Sequence, residues 1–214
     1  MVRSFKCIIV AAVVLVSLFG SGALAGPIFY DNFESGLSAW IGKSGGAHNG
    51  AIVPDPLGGA GNALTFTAVN SGGDIFTTGQ AFSLTSGRLY RVSFDFLGLR
   101  GQVPGGSGGF AGLSQGYPGT HMWYYGTNTT SGAAPILLDD GQWHSYAYEF
   151  IAPAPVVGNT VRLMFEDFGY YGYGIPGDAF VDNVVFQVVP APGAVLLAGL
   201  GSAVVGWLRR RRAL

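Results

Sequence analysis

The chain has 214 residues, of which 49% are hydrophobic and 11% are charged, and its formal net charge is −1. This near-neutral value hides an asymmetry, because six of the eleven basic residues lie in two terminal segments, at Arg3, Lys6 and 209–212. Residues 26–189 carry twelve acidic and five basic side chains, a net charge of −7. This argues against a nucleic-acid partner, since phosphate contacts require clustered Lys and Arg.

Residues 1–25 have the three-part layout of a secretory signal peptide. Two basic residues precede an apolar segment from Cys7 to Phe19, and small residues follow as far as Ala25. We expect cleavage after Ala25, which makes Gly26 the first residue of an exported protein. Cys7 is the only cysteine and is removed by that cleavage, so the mature protein has neither disulfides nor a cysteine nucleophile.

Between the termini the dominant pattern is the period-two alternation of strands with one buried face. It is clearest in Tyr90–Phe96, where even positions are apolar and odd ones polar, and it recurs in Ser145–Phe150, Val161–Glu166 and Phe180–Phe186. Weaker strands are predicted at Ile28–Phe33, Ala51–Val53, Ala63–Val69, Ala81–Thr85 and His121–Tyr125.

Gly42–Gly50 and Gly101–Gly119 are rich in Gly, Ser and Pro and are predicted to be loops. A domain boundary in the second segment is the alternative, but it would leave two halves with too few strands to close a sandwich. Many short strands between Gly, Pro, Asn and Asp clusters therefore predict one antiparallel sandwich or barrel over residues 26–189.

Four motifs follow one another along this domain: Asp31–Leu37 before Trp40, then Tyr90–Phe96, Asp140–Tyr146 and Phe180–Phe186. The series resembles the galactose-binding-like jelly rolls of many bacterial carbohydrate-binding modules. The resemblance implies an all-β fold, an antiparallel two-sheet jelly-roll sandwich. It also implies, in many members, a structural calcium ion between the opening and last strands, and a glycan site on a sheet face or in the loops at one end.

Asp182 gives the calcium expectation a second basis. Period-two counting puts Asp182 on the face of Phe180, Val184 and Phe186, where an unpaired carboxylate is costly. Calcium, which prefers carboxylate and backbone oxygens, would satisfy it. The resemblance implies Glu34 as the matching ligand, with Asp31 as a third. The alternative is that a bulge turns Asp182 outward, or that it accepts hydrogen bonds from backbone N–H groups.

Two aromatic clusters are candidate glycan sites, because flat rings stack on the apolar faces of sugars. The first lies around residues 117–125 and includes Tyr124 and Tyr125; the second is the glycine-interleaved segment Phe168–Gly174, with Tyr170, Tyr171 and Tyr173. The alternative is that these rings fill the core or plug the loop ends of the sandwich.

The sequence gives little support for catalysis. The three histidines lack metal-ligand spacing, and neither a nucleophile turn nor a phosphate loop occurs. Glu149 and Glu166 would be the carboxylates of a glycoside hydrolase, but both fall on the polar faces of predicted strands, where solvated carboxylates are ordinary. We therefore expect a protein that is not an enzyme.

The C-terminal segment, residues 190–214, follows Val189 and contains an apolar stretch between a proline motif and a basic cluster. Its sorting-motif residues are Val189, Pro190, Pro192, Arg209, Arg210, Arg211 and Arg212. The apolar stretch, residues 193–208, is slightly shorter than the about 20 residues of a usual membrane span. Terminal arginines would hold that end in the cytoplasm.

This layout resembles the PEP-CTERM sorting signal of bacterial surface proteins. The resemblance implies a transmembrane sorting helix, an intermediate in the inner membrane, and an exosortase-like protease that cuts near the proline motif. Ala191 stands where the motif usually has glutamate. Two alternatives follow: a variant protease recognises the motif, or the segment is a permanent membrane anchor.

Together these patterns predict an exported structural or adhesive protein of the bacterial cell surface or extracellular matrix, with weak binding to a polysaccharide. The alternative is a dedicated carbohydrate-binding module, and a glycoside hydrolase is the third class.

Overall fold

The computed structural model describes residues 26–42, 50–67, 74–99, 109–115, 121–126, 136–152, 160–167, 177–190, 200–205, 207, 209 and 210. The chain divides into two compact units, Pro27–Gln187 and the terminal segments Met1–Gly26 with Val188–Leu214. Each is described by itself.

The described residues form twelve strands. They are β1 (Phe29–Asp31), β2 (Trp40–Gly42), β3 (Gly50–Pro54), β4 (Asn62–Phe66), β5 (Asp74–Thr78), β6 (Phe82–Ser83), β7 (Leu89–Gly98), β8 (Gly109–Ser114), β9 (His121–Gly126), β10 (His144–Ile151), β11 (Thr160–Asp167) and β12 (Ala179–Val188). The predicted all-β class is confirmed.

The strands make two antiparallel six-stranded sheets. Sheet A has the order β10-β7-β12-β4-β3, with β1 paired to β12; sheet B has the order β2-β5-β11-β8-β9, with β6 paired to β11. The first half of β12 pairs with β4 and its second half with β1. The last strand therefore lies in the middle of sheet A.

The core is built from aromatic side chains that meet between the sheets. The ring centroids of Phe94 in sheet A and Phe165 in sheet B are 5.2 Å apart, and those of Phe186 and Phe82 are 5.1 Å apart. The even positions of β7 that alternation assigned to the buried face are all buried: Tyr90, Val92, Phe94 and Phe96. The alternation in the sequence therefore identified the side chains of β7 that face the interior.

All four strongly patterned strands are confirmed, as β7, β10, β11 and β12, and each weaker prediction overlaps a strand of the structure. Strands β2, β5 and β8 were not predicted. The loop predicted at Gly101–Gly119 is wrong for residues 109–114, which form β8. Packing explains one glycine of β8, because a Cβ on Gly109 would lie 2.4 Å from Cε2 of Phe96.

The alternation of β12 breaks at Asn183, which has a left-handed φ of 50°. Before it, Phe180 packs with Ala63 and Leu97 in a small cluster on the outer face of sheet A. After it, Val184 and Phe186 are fully buried, and Phe186 contacts sheet B. The prediction that Asp182 shares one face with all three apolar residues is therefore wrong, because the faces of β12 reverse at Asn183 as they do at a bulge.

In the terminal unit, residues 200–205, 207, 209 and 210 are helical. Leu200, Val204 and Trp207 are about half exposed. Among the residues described, no helix has the length and apolar character needed to cross a membrane. The predicted signal peptide and the sorting-motif residues Pro192, Arg211 and Arg212 lie outside the described residues.

Candidate functional site

The outward row of β11 in sheet B is buried, whereas the outward side chains of sheet A include exposed ones on β7 and β10. On β11, Leu163 and Phe165 point into the sandwich, so Met164 and Glu166 belong to the outward row. Yet Met164 is fully buried and Glu166 is 8% exposed. On sheet A, by contrast, the outward side chains of Arg91 and Glu149 form an ion pair at 3.8 Å and are each 46% exposed.

Strand register assembles a row of residues around Met164 on this outer face. Met164 pairs with Thr77 on one side and Gly112 on the other, and Gly112 pairs with Trp123 of β9. Thr77 and Ser114 are both nearly inaccessible to solvent. This face therefore combines buried hydroxyl groups with a buried carboxylate.

Arg162 continues the outward row of β11, and it pairs with Ser114. Its guanidinium Nη1 donates to the carbonyl oxygens of Thr78, at 2.5 Å, and Gly79. These bonds hold a positive charge at the end of β5, two residues along β11 from Met164. Sheltered polar groups beside an apolar surface are typical of ligand sites. Sequence alternation placed Glu166 and Arg162 on the outer face, but it gave no sign that this face is buried.

Tyr124 and Tyr125, two of the predicted glycan-binding residues, lie at a bulge in β9. Ala111 pairs with Tyr125 and Gly112 with Trp123, so Tyr124 is the extra residue. Both tyrosines contact β10 of sheet A. Tyr124 stacks on Tyr148 at 4.2 Å with the rings 3° from parallel, and the Tyr125 hydroxyl donates to the Ala147 carbonyl at 2.7 Å. Their rings fill the gap between the sheet edges.

The other predicted glycan-binding residues, Tyr170, Tyr171 and Tyr173, lie outside the described residues. The two carboxylates expected for a glycoside hydrolase, Glu149 and Glu166, do not lie in one site. Glu149 lies on sheet A and Glu166 on sheet B, each on the outward face, so the sandwich separates them.

A second candidate region surrounds Asp182 on sheet A. The pKa of Asp182 is raised to about 6, first by burial and then by the charges of Asp95, Glu34 and Asp55, although a hydrogen bond from the Asn183 N–H partly lowers it. That N–H lies 2.6 Å from Asp182 Oδ1. Asn183 Nδ2 also donates to Asp95 Oδ2 at 2.8 Å. The fold therefore gathers several carboxylates around one that is partly buried.

The predicted calcium ligands are held by neighbours in different ways. Glu34 accepts two hydrogen bonds from Asn62. The backbone N–H donates to Oε1 at 2.7 Å, and Nδ2 donates to Oε2 at 2.8 Å. Asp31 accepts from the Phe33 N–H at 2.8 Å and from Trp40 Nε1 at 2.7 Å. Glu34 is near enough to act on the pKa of Asp182. No set of three or more acidic, His or Cys side chains able to hold a metal occurs among the described residues.

Sequence reasoning missed Asp95 and Asp55 as members of this region. Asp95 was an ordinary polar position of β7, but it pairs with Ser145, whose hydroxyl donates to Asp95 Oδ1 at 2.5 Å. Asp55 follows β3, and its Oδ1 accepts from Trp143 Nε1 at 3.1 Å. Both contacts join residues at least 50 positions apart, so no local signal reveals them.

Solved structures with a similar fold include carbohydrate-binding domains. The tandem CBM22-1–CBM22-2 domain of Paenibacillus barcinonensis Xyn10C is 17% identical, with a TM-score of 0.56 over 77% of this chain and 51% of the tandem. The CBM22-1 xylan-binding domain of the same enzyme is 13% identical, with a TM-score of 0.50 over 79% of this chain and 99% of that domain.

A third structure contains the CBM22-1 and GH10 modules of Clostridium thermocellum Xyn10B with xylohexaose. It is 12% identical, with a TM-score of 0.51 over 78% of this chain and 29% of that one. This chain therefore spans about half of the tandem domain and less of the xylanase. No family model and no curated protein matches the sequence. At these identities the likeness shows the fold.

The raised pKa of Asp182 predicts how stability depends on pH. Its folded pKa of about 6 exceeds the ordinary 3.8, so the folded state binds the proton more tightly than the unfolded state does. In chelator, the melting temperature should therefore rise as the pH falls from about 7 to about 5, because protonation removes the cost of a partly buried charge and the repulsion from Asp95, Glu34 and Asp55. Asp182→Asn should be more stable than wild type near pH 7 and should lose this component of the pH dependence. Parallel pH profiles for the two proteins would contradict the prediction.

Proposed function

We propose that residues 26–189 form a carbohydrate-binding module that holds a polysaccharide on the outer face of sheet B. The observation that carries this proposal is the buried outward row around Met164, where Thr77, Ser114 and Glu166 bring hydroxyl and carboxylate groups together. Sugar hydroxyls need polar groups in a sheltered surface, and this row places polar side chains beside an apolar one.

The similar solved structures support this proposal, because several of them are named as xylan-binding or CBM22 domains. They favour the dedicated carbohydrate-binding module over the structural or adhesive matrix role that the sequence suggested first. Since one of them contains xylohexaose, a β-linked xylan is the first polysaccharide to test. The neighbouring modules also agree with a binding role for this domain rather than a catalytic one.

Within this proposal each outward residue has a role. Glu166 and the half-buried Arg162 meet the sugar at the accessible margin of the row, and Thr77, Ser114 and Met164 pack beneath that contact surface. The loop tyrosines Tyr170, Tyr171 and Tyr173 remain the second candidate site for the same activity.

The test of this site compares two glutamates of the same chemistry on opposite sheets. Glu166→Gln should weaken binding to xylan about tenfold or more, because it removes a charge-assisted hydrogen bond. Glu149→Gln is the matched control and should bind like wild type. Affinity electrophoresis in polysaccharide gels gives the multivalent format that weak sugar binding requires.

Equal retardation of both variants would contradict a site on sheet B. If the triple substitution of Tyr170, Tyr171 and Tyr173 by alanine then removed binding, the site would move to the loop. Wild-type protein that is not retarded by any polysaccharide would overturn the carbohydrate-binding proposal itself.

We also propose that calcium binds beside Asp182, with Glu34 as a second ligand; Asp31, whose two oxygens accept from the Phe33 N–H and Trp40 Nε1, is not part of this site. Support comes from charge: three other carboxylates raise the pKa of Asp182, and no basic group contributes to lowering it. A hard divalent cation would relieve that repulsion with the oxygen ligands it prefers. The ion would stabilise the fold rather than contact the sugar.

Chelation should therefore lower the melting temperature of the purified protein near pH 7, because an ion that binds only the folded state stabilises it by mass action. Asp182→Ala should abolish the chelator effect. Asp140→Ala, which removes an exposed carboxylate bonded to His144, is the control and should keep it. Identical wild-type melting curves with and without chelator would end the calcium proposal.

We further propose that the C-terminal segment sorts the protein to the surface, as the proline motif, apolar stretch and arginines suggest. If both terminal signals act, mass spectrometry of surface or culture-fluid protein should find an N-terminus at Gly26 and a C-terminus close to Pro190. Mature protein that still carries the arginine tail would refute sorting by an exosortase-like protease and leave a permanent anchor.

A further inference from the structure

A cavity of about 180 Å³ lies between the edges of the two sheets, away from the outer face of sheet B. Its walls come from Phe150 and Ile151 of β10, the edge strand of sheet A, and from Met122 and Tyr124 of β9, the edge strand of sheet B. Val161 of β11 completes the apolar lining together with Leu84. We name this the edge cavity.

The β9 bulge builds one wall of the edge cavity. Because Tyr124 is the extra residue, its ring turns toward sheet A and lies flat on Tyr148 at 4.2 Å. Burial raises the pKa of the Tyr124 hydroxyl, so the wall stays uncharged across the physiological range. The stacked pair fixes a flat aromatic surface beside the cavity.

The rim of the edge cavity is apolar where it meets solvent. Ile151 is 66% exposed although it is a large hydrophobic side chain. Gln115, just after β8, is exposed and is the polar exception in the lining. Among the described residues that line it, none is acidic or basic.

These properties define the ligand by size and polarity. Apolar cavities of about 150 Å³ bind benzene, so this one has room for a single six-membered ring. A pyranose carries hydroxyls around its ring and needs several polar partners to offset the loss of water. Among the described lining residues the Gln115 amide is the polar group at the rim, which is enough for one polar substituent.

We propose that the edge cavity binds one uncharged aromatic ring bearing a single hydrogen-bonding group, a ligand of the phenol class. The ring lies among Met122, Phe150 and Val161, and its polar group faces Gln115 at the rim. This site is separate from the proposed glycan surface on sheet B and does not depend on it.

The three methionines of the chain allow both sites to be observed in one sample. Met122 lines the edge cavity, Met164 lies on the outer face of sheet B, and Met1 is in the N-terminal segment. In the full chain, held in lipid nanodiscs and labelled with ¹³C at the methionine methyl groups, phenol should shift the Met122 resonance saturably. Phenol should leave the Met164 resonance unchanged. Xylohexaose should shift the Met164 resonance and leave the Met122 resonance unchanged.

Gln115→Leu tests the polar contact without touching the core, because Gln115 is exposed. Wild type should bind phenol about fivefold more tightly than benzene, as one added hydrogen bond predicts, and the variant should bind the two alike. Leu84→Phe, which fills the cavity, should reduce the Met122 shift, and an unmoved Met164 resonance in that variant confirms its fold.

A Met122 resonance that does not respond to phenol would overturn the proposal. So would a shift that xylose produces equally well, which would make the cavity a sugar site, or a shift proportional to phenol without saturation, which would reflect partition into lipid. Failure of xylohexaose to move Met164 would count against the glycan surface alone.

Discussion

The packing of aromatic side chains between the sheets is the interaction on which the rest of the structure depends. Phe94 meets Phe165 and Phe186 meets Phe82, so the central strands of sheet A are joined to sheet B. Residues 26–189 contain no cysteine, so disulfides cannot share this task. Full burial of one such ring contributes about 1.5–3 kcal/mol. Because the interior supplies this stability, the outer faces of the two sheets can carry different side chains.

The sequence predicted the strands whose inner residues build this interior. Alternation is strong in β7, β10 and β11 because one face of each must be apolar over many residues. It is weak where a strand has three residues, as in β2, or where small residues are needed for packing, as at Gly109 beside Phe96 in β8. Composition cannot separate a glycine that permits close contact from a glycine that permits motion.

The candidate sites were less predictable because two of them depend on bulges. Period-two counting assumes that no residue is inserted, so it fails at Asn183 and at Tyr124, where one extra residue reverses the faces that follow. Asn tolerates the left-handed conformation better than most residues, but one asparagine in a strand is a weak signal. The buried state of Glu166 also escaped prediction, since it depends on the surroundings of the sheet and not on its own pattern.

The bulge at Asn183 keeps a carboxylate out of the interior and places it near others. At Asn183 the bulge avoids the cost of a carboxylate among Val184 and Phe186, but it brings Asp182 near Asp95, Glu34 and Asp55. The repulsion between these carboxylates therefore lies where a proton or a cation can reach Asp182. A proton neutralises this charge, and the calcium ion that we propose would compete with it for Asp182.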